Sequence, residues 1–178
     1  AMAKLGYVDE VWKGLEMINP VGLQKVVPNA ELRQSNAYFS SSDGKFNTRY
    51  EAQKRFNELR EGTVKVKGGW RIYSSGPGIY MNQLISNCLG IRQEAGNLII
   101  DPVLPQDLNG LTFNFEIMGR PVTFTYHLDQ NEKFILINGK KIDTQTTTNP
   151  YRQGGFLVEK ETIEQLFNNN GNEIKVYL

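Results

Sequence analysis

The chain has 178 residues, of which 39% are hydrophobic and 22% charged, and its formal net charge is +1. These values are typical of an ordinary soluble globular protein with room for one good core, or for one small domain plus part of another. The basic residues are scattered, whereas a nucleic-acid-binding protein concentrates them on one face, so nucleic acid is not an expected partner. No stretch approaches about 18 uninterrupted apolar residues and Cys88 has no partner for a disulfide, so we expect no membrane span in this segment and a cytoplasmic location.

The N-terminal part of the sequence has a helical pattern. Apolar residues recur at spacings of three and four from Leu5 to Leu15, which predicts one amphipathic helix. Pro20 keeps the preceding residue out of the helical conformation, so this helix should end near Ile18. No Ser, Thr, Asp or Asn precedes its start, as if the sequence were cut from a longer one. Residues 21–47 have no sustained period, and long ordered loops in compact domains are usually functional.

Two further helices are predicted. Thr48 and Glu51 form a capping box, in which each side chain bonds the other residue's backbone amide, and the charged helix that follows should lie on the surface and end at Gly62. Alternating Val64 and Val66 then predict a half-exposed strand. The third helix carries an apolar stripe that should be buried, which consists of Met81, Leu84, Ile85, Cys88 and Leu89.

From Gly96 onward the pattern changes to short β-strands. The segments LTFNFEIMG and RPVTFTYHL alternate apolar and polar residues, and KFILINGKKI predicts a hairpin about Asn138 and Gly139. Together with NLIIDPVLP and the later GNEIKVYL, they give about five short antiparallel strands, which predict a small β-sandwich or jelly roll. The predicted fold class is therefore α+β, with helices in residues 1–95 and a β-domain in residues 96–178.

His127, the single histidine, is not predicted to be catalytic. It is out of phase with the inward-facing set Val122, Phe124, Tyr126 and Leu128, so its side chain should face away from the core. One histidine and one cysteine form neither a zinc site nor a pair that activates a nucleophile. The sequence therefore predicts no metal site and no cofactor.

The turn SSGPG at residues 74–78 has two interpretations. It has the features of an anion site, because Pro77 suits the first position of a helix and Ser74 and Ser75 add hydroxyl donors beside the helix amides. Gly76 would let a ligand approach the backbone closely. Alternatively, Ser75 only caps the helix, and the residues alone favour this plainer interpretation.

The segment RQSNAYFSSSDG, residues 33–44, mixes aromatic and polar side chains. One interpretation is a carbohydrate surface, in which aromatic rings stack on sugar faces and polar side chains bond the hydroxyl groups. The aromatic set would be Tyr38, Phe39 and Trp70, and the polar set Arg33, Gln34 and Asn36. The alternative is a loop with local side-chain turns and one buried aromatic residue. The segment alone does not separate the two.

Several long segments resemble one known family in collinear order. They are AMAKLGYVDEVWKGLEMINPV, RQSNAYFSSSDG, GGWRIYSSGPGIYMNQL, and LGIR followed by LIIDPVLPQDLNGLTFNFEIMGRPVTFTYHL. Together they closely resemble the C-terminal end of glycoside hydrolase family 94, which contains inverting phosphorylases of β-glucosides. The forms RQSN and WRIYSSGPGIY look nearer to the members that act on β-1,2-glucans than to those that act on cellobiose.

This resemblance implies that the chain is the closing fragment of a much longer polypeptide. Residues 1–95 would be the last helices of an (α/α)6 barrel, whose catalytic aspartate lies upstream, and residues 96–178 a C-terminal β-sandwich. The uncapped first helix and the apolar helical stripes without partners agree with this expectation. No catalytic residue is then expected in this chain, and the fragment alone should be inactive.

The resemblance also implies a reaction and a set of binding residues. In the family's reaction a carboxylic acid protonates the glycosidic oxygen while inorganic phosphate attacks the anomeric carbon from the opposite face, giving glucose 1-phosphate. Phosphate binding is carried over to Ser74, Ser75 and Gly76, which decides the turn in favour of the anion. The implied substrate-binding set is Arg33, Gln34, Asn36, Tyr38, Trp70, Arg71 and Tyr73.

One position departs from the family pattern. Cellobiose-type members place a phosphate-binding histidine shortly after the INP turn, where this sequence has Val21, Gly22 and Leu23. Arg33 or Arg71 is a candidate to supply the missing charge. The expected partners are inorganic phosphate, a β-glucan oligosaccharide and the rest of the parent polypeptide, and a homodimer is left open.

Two alternatives belong to other classes. A noncatalytic carbohydrate-binding or structural β-module would apply if the gene product begins near Ala1. Part of a cyclic β-1,2-glucan synthase would require transmembrane helices elsewhere in the gene product. The length of the parent open reading frame separates both alternatives from a phosphorylase.

Overall fold

A computed structural model describes residues 1–17, 30–31, 44–59, 61–67 and 77–178. The chain forms two compact units. The first contains Ala1–Val11 and Gln83–Leu178, and the second contains Trp12–Asn82. Within the described residues, no helix has the length and apolarity that a membrane crossing requires.

The N-terminal helix is broken, so the prediction of one continuous helix is wrong. Helix α1 covers Met2–Leu5 and helix α2 covers Val8–Met17. Gly6 lies between them in the left-handed conformation with φ of 81°, and its amide donates to the Ala3 carbonyl. A glycine in this conformation commonly closes a helix, because it has no Cβ to oppose the positive φ. The expected end at Ile18 lies outside the described residues.

The second unit contains short elements. Helix α3 (Arg49–Arg55) runs into a 3₁₀ turn at Phe56–Leu59, and helix α4 covers Pro77–Asn82. Strands β1 (Ala30–Glu31) and β2 (Val66–Lys67) form a parallel pair. Pro77 is the first residue of α4, as the sequence predicts.

The capping box of α3 is confirmed in one half and wrong in the other. The Glu51 amide donates to Thr48 Oγ1 at 3.2 Å, as predicted. The Glu51 carboxylate, however, accepts from the Asn47 amide at 2.9 Å rather than from that of Thr48. Tyr50 and Phe56 are exposed, whereas Ala52 and Leu59 are buried. Helix α3 is thus a surface helix with one narrow buried edge.

The first unit is built on two β-sheets. The four-stranded sheet has the order β3 (Ile91–Glu94), β4 (Asn97–Ile100), β10 (Phe156–Val158), β9 (Gln145–Thr146), and its pairs are antiparallel. The five-stranded sheet has the order β5 (Thr112–Ile117), β6 (Arg120–His127), β11 (Asn172–Tyr177), β7 (Phe134–Ile137), β8 (Lys140–Ile142). Helix α5 (Lys160–Leu166) connects β10 to β11, and a π-helical turn at Gln83–Cys88 precedes β3. The result is a small β-rich domain.

The five-stranded sheet is mixed, so the prediction of a purely antiparallel sandwich is wrong. Strands β6 and β11 run parallel, with Ile174 opposite Phe124 and Tyr177 opposite His127. Parallel neighbours cannot be joined by a tight turn and need a long crossover. Here the connection passes through β7 and β8 of the same sheet, then through β9 and β10 of the other sheet and α5, before the chain returns to β11.

The core lies between the two sheets and follows the predicted alternation. Val122, Phe124, Tyr126 and Leu128 are all buried, with Phe124 and Tyr126 fully so. The four-stranded sheet adds Leu98, Ile100, Phe156 and Val158, and α5 adds Ile163. His127 faces away from this core, as predicted, and its ring stacks on that of Tyr177 with 4.5 Å between centroids. The hairpin about Asn138 and Gly139 is confirmed, and both residues have positive φ.

Gly90 lies where the π-helical turn meets the sandwich, with φ of +74°. Its carbonyl accepts from the Asp101 amide at 3.0 Å. A Cβ at this position would overlap the Asp101 carbonyl carbon and the Pro102 nitrogen. Only glycine therefore allows this close contact between two backbone segments.

We expect Gly90→Ala to destabilise the chain by about 2–5 kcal/mol, which combines about 1–2 kcal/mol for the positive φ with about 1–3 kcal/mol for overpacking. The matched control is Gly119→Ala, at φ of +73° with nothing within 4 Å of the added carbon. This variant should lose about 1–2 kcal/mol of stability, because only the positive φ opposes the added side chain. The measurement is urea unfolding followed by circular dichroism, and equal losses in the two variants would contradict the packing argument.

Candidate functional site

All ten predicted binding residues lie outside the described residues. The phosphate set is Ser74, Ser75 and Gly76, and the sugar set is Arg33, Gln34, Asn36, Tyr38, Trp70, Arg71 and Tyr73. These assignments therefore stay predictions. In the first unit, a different set of described polar side chains comes together beside the four-stranded sheet.

A polar cavity of about 600 Å³ opens beside the four-stranded sheet of the first unit. Its charged lining includes Arg92 from β3, Asp101 directly after β4, and Arg152 from the loop between β9 and β10. Asn149 and Thr147 from the same loop add an amide and a hydroxyl group. The cavity is thus lined by hydrogen-bonding groups of both charges.

Asp101 lines this cavity and is only 7% exposed. Arg152 Nη1 lies 2.7 Å from one carboxylate oxygen, and Arg92 Nη2 lies 3.7 Å from the other. Arg92 also donates from Nη1 to the Ser86 carbonyl at 2.9 Å. A buried carboxylate is tolerated only when its charge is paired, and here two guanidinium groups share it. Because the Glu94 carboxylate lies 3.3 Å from Arg92 Nε, the cluster holds two guanidinium groups and two carboxylates, and these charges balance.

The same arginine fastens helix α1 to the sandwich within the first unit. Arg152 Nε donates to the Ala3 carbonyl at 3.4 Å, and Asn149 Nδ2 donates to the Lys4 carbonyl at 3.0 Å. The last carbonyls of a helix have no partner within the helix, so side-chain donors of this kind satisfy them. A Cβ on Gly6 would come within 2.9 Å of Arg152 Cδ, so glycine at this position also gives the arginine its room.

The chemistry of the cavity suits binding and positioning. The hydroxyl oxygen of Thr147 is buried and has no hydrogen-bond partner among the described residues. No three metal-ligating side chains come together in the part of the chain that the structure describes. The sequence did not predict this cluster. Its only signals were an aspartate ending the apolar run LIID and a lone arginine in a glycine-rich loop, and neither has a spacing that indicates a site.

Two buried titratable groups lie near the joint between the π-helical turn and the sandwich. Burial raises the pKa of the Cys88 thiol to about 11. Burial also raises the pKa of Tyr126, whose hydroxyl donates to the Leu89 carbonyl at 2.8 Å. Both groups are held neutral at physiological pH, so they serve as packing and as a hydrogen-bond anchor.

Two sheets pack around one core, and a charged cluster lies beside the four-stranded sheet, so the first unit contains a β-sandwich domain. Residues 90–177, which contain this sandwich, match the family model of the glycoside phosphorylase C-terminal domain. Residues 90–177 therefore belong to the family of glycoside phosphorylase C-terminal domains.

Two relatives extend the comparison beyond the sandwich. The 1,2-beta-oligoglucan phosphorylase of Listeria innocua is 48% identical over 163 residues, which cover 92% of this chain. The cyclic beta-(1,2)-glucan synthase NdvB of Rhizobium meliloti is 26% identical over 119 residues, which cover 67% of this chain. The chain spans 15% of the length of the first relative and 4% of the second.

We expect Asp101→Asn to destabilise the chain by about 2–3 kcal/mol, because it removes the charge that both guanidinium groups share. The control is Glu94→Gln, which removes the carboxylate 3.3 Å from Arg92 Nε, where the Glu94 side chain is 62% exposed. An exposed pair of this kind contributes less than about 1 kcal/mol. Urea unfolding curves measure both values, and a smaller loss for Asp101→Asn than for Glu94→Gln would contradict the shared-charge argument.

We expect Cys88 to resist alkylation in the folded chain. A pKa raised from 9.0 to about 11 lowers the thiolate fraction roughly hundredfold at mildly alkaline pH, and the thiolate is the reactive form. Iodoacetamide labelling followed by mass spectrometry should show slow modification in buffer and rapid modification in urea. Equal rates in the two conditions would mean that the thiol is accessible in the folded state.

Proposed function

We propose that this chain is the closing part of an inverting phosphorylase that cleaves β-1,2-linked gluco-oligosaccharides with inorganic phosphate and releases glucose 1-phosphate. The observation that carries the proposal is the 48% identity to a 1,2-beta-oligoglucan phosphorylase over 92% of this chain. This similarity extends well beyond the sandwich into the helical part, from which the proposed ligand contacts come. The proposal includes the cytoplasmic location expected from the sequence.

The proposed division of labour has three parts. A carboxylic acid elsewhere in the complete polypeptide protonates the glycosidic oxygen, and phosphate attacks the anomeric carbon from the opposite face. Ser74, Ser75 and Gly76 bind the phosphate. Residues 1–95 complete the helical catalytic domain, while the sandwich at residues 96–178 is not catalytic.

The sugar-contacting set carries specificity in this proposal. It comprises Arg33, Gln34, Asn36, Tyr38, Trp70, Arg71 and Tyr73. Aromatic rings stack on sugar faces, and the polar side chains bond hydroxyl groups whose positions depend on the linkage. Arg33 or Arg71 supplies positive charge to phosphate in place of the histidine that this sequence lacks after the INP turn, where it has Val21, Gly22 and Leu23.

The reaction is tested on the complete polypeptide with β-1,2-gluco-oligosaccharides as substrate. We expect release of glucose 1-phosphate only when inorganic phosphate is present, measured by an enzyme-coupled assay. Cello-oligosaccharides serve as the matched control and should be poor substrates. Release of free sugar without phosphate would identify a hydrolase, and equal turnover of both oligosaccharides would contradict the assigned linkage.

The phosphate site is tested by changing Ser74 and Ser75 to Ala in the complete polypeptide. Each hydrogen bond to a charged group contributes about 1.5–3 kcal/mol, so the KM for phosphate should rise roughly ten- to hundredfold for each serine that donates one. Thr112→Ala removes an exposed hydroxyl from β5 and should leave this constant unchanged. An unchanged KM in the serine variants would exclude the turn from phosphate binding.

A cyclic β-1,2-glucan synthase is the second candidate, and the similarity to NdvB over 67% of this chain favours it. In such a protein the same segment would shorten glucan chains by phosphorolysis. The two candidates differ in their products, since a synthase makes cyclic glucans from an activated sugar, whereas a phosphorylase does not. A noncatalytic carbohydrate-binding module is a further alternative, and it would bind oligosaccharide without any phosphate-dependent turnover.

A further inference from the structure

Three Asn-Gly dipeptides lie in the first unit. They are Asn109–Gly110, Asn138–Gly139 and Asn170–Gly171. Asparagine followed by glycine is chemically vulnerable, because glycine has no side chain to keep its amide nitrogen away from the preceding side-chain carbonyl. Whether a given pair reacts depends on how firmly the two groups are held. The three pairs differ clearly in the hydrogen bonds that hold the asparagine side chain and the glycine amide.

The first pair is held at both reacting groups. Asn109 Oδ1 accepts from the Leu128 amide at 2.9 Å, so the side chain is fixed toward β6. The Gly110 amide donates to the Tyr126 carbonyl at 2.8 Å. Attack by this nitrogen on the Asn109 side chain would require both bonds to break.

The second pair is held by the asparagine alone, through three hydrogen bonds. Asn138 Nδ2 donates to the Leu166 carbonyl at 2.8 Å and to Asn172 Oδ1 at 3.0 Å. Asn138 Oδ1 accepts from the Glu173 amide at 2.9 Å. These bonds tie the β7–β8 turn to the start of β11 and to the end of α5, so the side chain cannot swing toward Gly139.

The third pair is unrestrained. Asn170 is exposed, and within the described residues neither its side chain nor the Gly171 amide has a hydrogen-bond partner. A Cβ on Gly171 would meet nothing within 4 Å, so the backbone there is open to solvent. Both reacting groups are therefore free to approach each other, unlike those of the other two pairs.

We propose that Asn170 is a site of spontaneous deamidation. The Gly171 backbone nitrogen, after losing its proton to solvent base, attacks the Asn170 side-chain carbonyl carbon. The C–N bond to the side-chain amide breaks, ammonia leaves, and a cyclic succinimide remains. Water then adds to one of the two ring carbonyls and opens the ring, which gives aspartate or isoaspartate at position 170. No oxidant, metal or enzyme is required.

The position of Asn170 gives this change a structural effect. Asn172, two residues on, is 7% exposed and begins β11. Its Nδ2 donates to the Asn168 carbonyl at 2.9 Å and to the Pro121 carbonyl at 3.2 Å. Isoaspartate routes the backbone through the side chain and adds one carbon between residues 170 and 171. The register of Asn172 with these carbonyls would then shift.

The site is tested by ageing the chain at mildly alkaline pH and mapping its peptides by mass spectrometry. We expect the mass gain from replacing NH2 by OH at Asn170, with isoaspartate and aspartate resolved by chromatography. Asn109 and Asn138 should change at least tenfold more slowly while the chain is folded, and all three should react at similar rates in urea. A folded-state rate at Asn170 no faster than at the other two would overturn the proposal.

Two variants distinguish the deamidation reaction from its effect on stability. Asn170→Gln cannot close the five-membered ring, so it should lose the reaction while keeping the fold. Asn170→Asp carries the new charge without the extra backbone carbon, and it should match the unaged protein in its urea midpoint. Protein enriched in isoaspartate should unfold at a lower urea concentration than the unaged protein. If the Asn170→Gln variant is still deamidated at another residue at the same overall rate, the assignment to Asn170 is wrong.

Discussion

The sandwich depends on the contacts of one residue, Asp101, whose backbone and side chain are both held by neighbouring segments. Its backbone packs against Gly90 and Gly155, and a Cβ at either glycine would overlap backbone atoms at residues 100–102. Its carboxylate faces Arg152 and Arg92. A single residue thus joins four segments: the end of the π-helical turn, strand β3, the end of β4 and the loop that enters β10. Because the glycines bring the backbones together, the arginines can reach a carboxylate that would otherwise be buried without a partner.

The arrangement also explains how the first unit includes a helix from the other end of the sequence. Arg152 contacts both Asp101 and the Ala3 carbonyl, so the same guanidinium group satisfies a buried charge and a helix end. Asn149 adds a second bond to the Lys4 carbonyl. The contacts join residues about 145–149 positions apart in sequence, which local patterns cannot reveal. They hold helix α1 against the sandwich within the first unit.

The sequence predicted the parts of the fold that depend on period and on turn chemistry. Alternation placed Val122, Phe124 and Tyr126 in the core, and the Asn138–Gly139 pair marked a hairpin, since both signals are local. Two local features were missed. Gly6 ends helix α1 in the left-handed conformation although the apolar spacing continues past it, and β3 was missed because a four-residue strand has too little alternation to be recognised. The mixed sheet follows from the parallel pairing of β6 with β11, which is set by topology.

For the candidate site, too, one part was predicted from the sequence and another part was not. The proposed phosphate and sugar contacts come from resemblance to a family, and they lie in segments outside the described residues. The cluster around Asp101 has no signature in the sequence, because its members are separated by loops and have no characteristic spacing. Resemblance therefore indicates where substrate is expected, while the geometry identifies which side chains hold the domain together.

The place of β11 has a consequence for the order of assembly. This strand, the last in the sequence, lies in the middle of the five-stranded sheet, between β6 and β7. While the ribosome is still making residues 128–171, the open edge of β6 has no hydrogen-bonding neighbour on that side, and exposed strand edges invite pairing with other chains. The sheet is therefore completed in one late step, and a nascent chain that pauses before residue 172 would be especially prone to self-association.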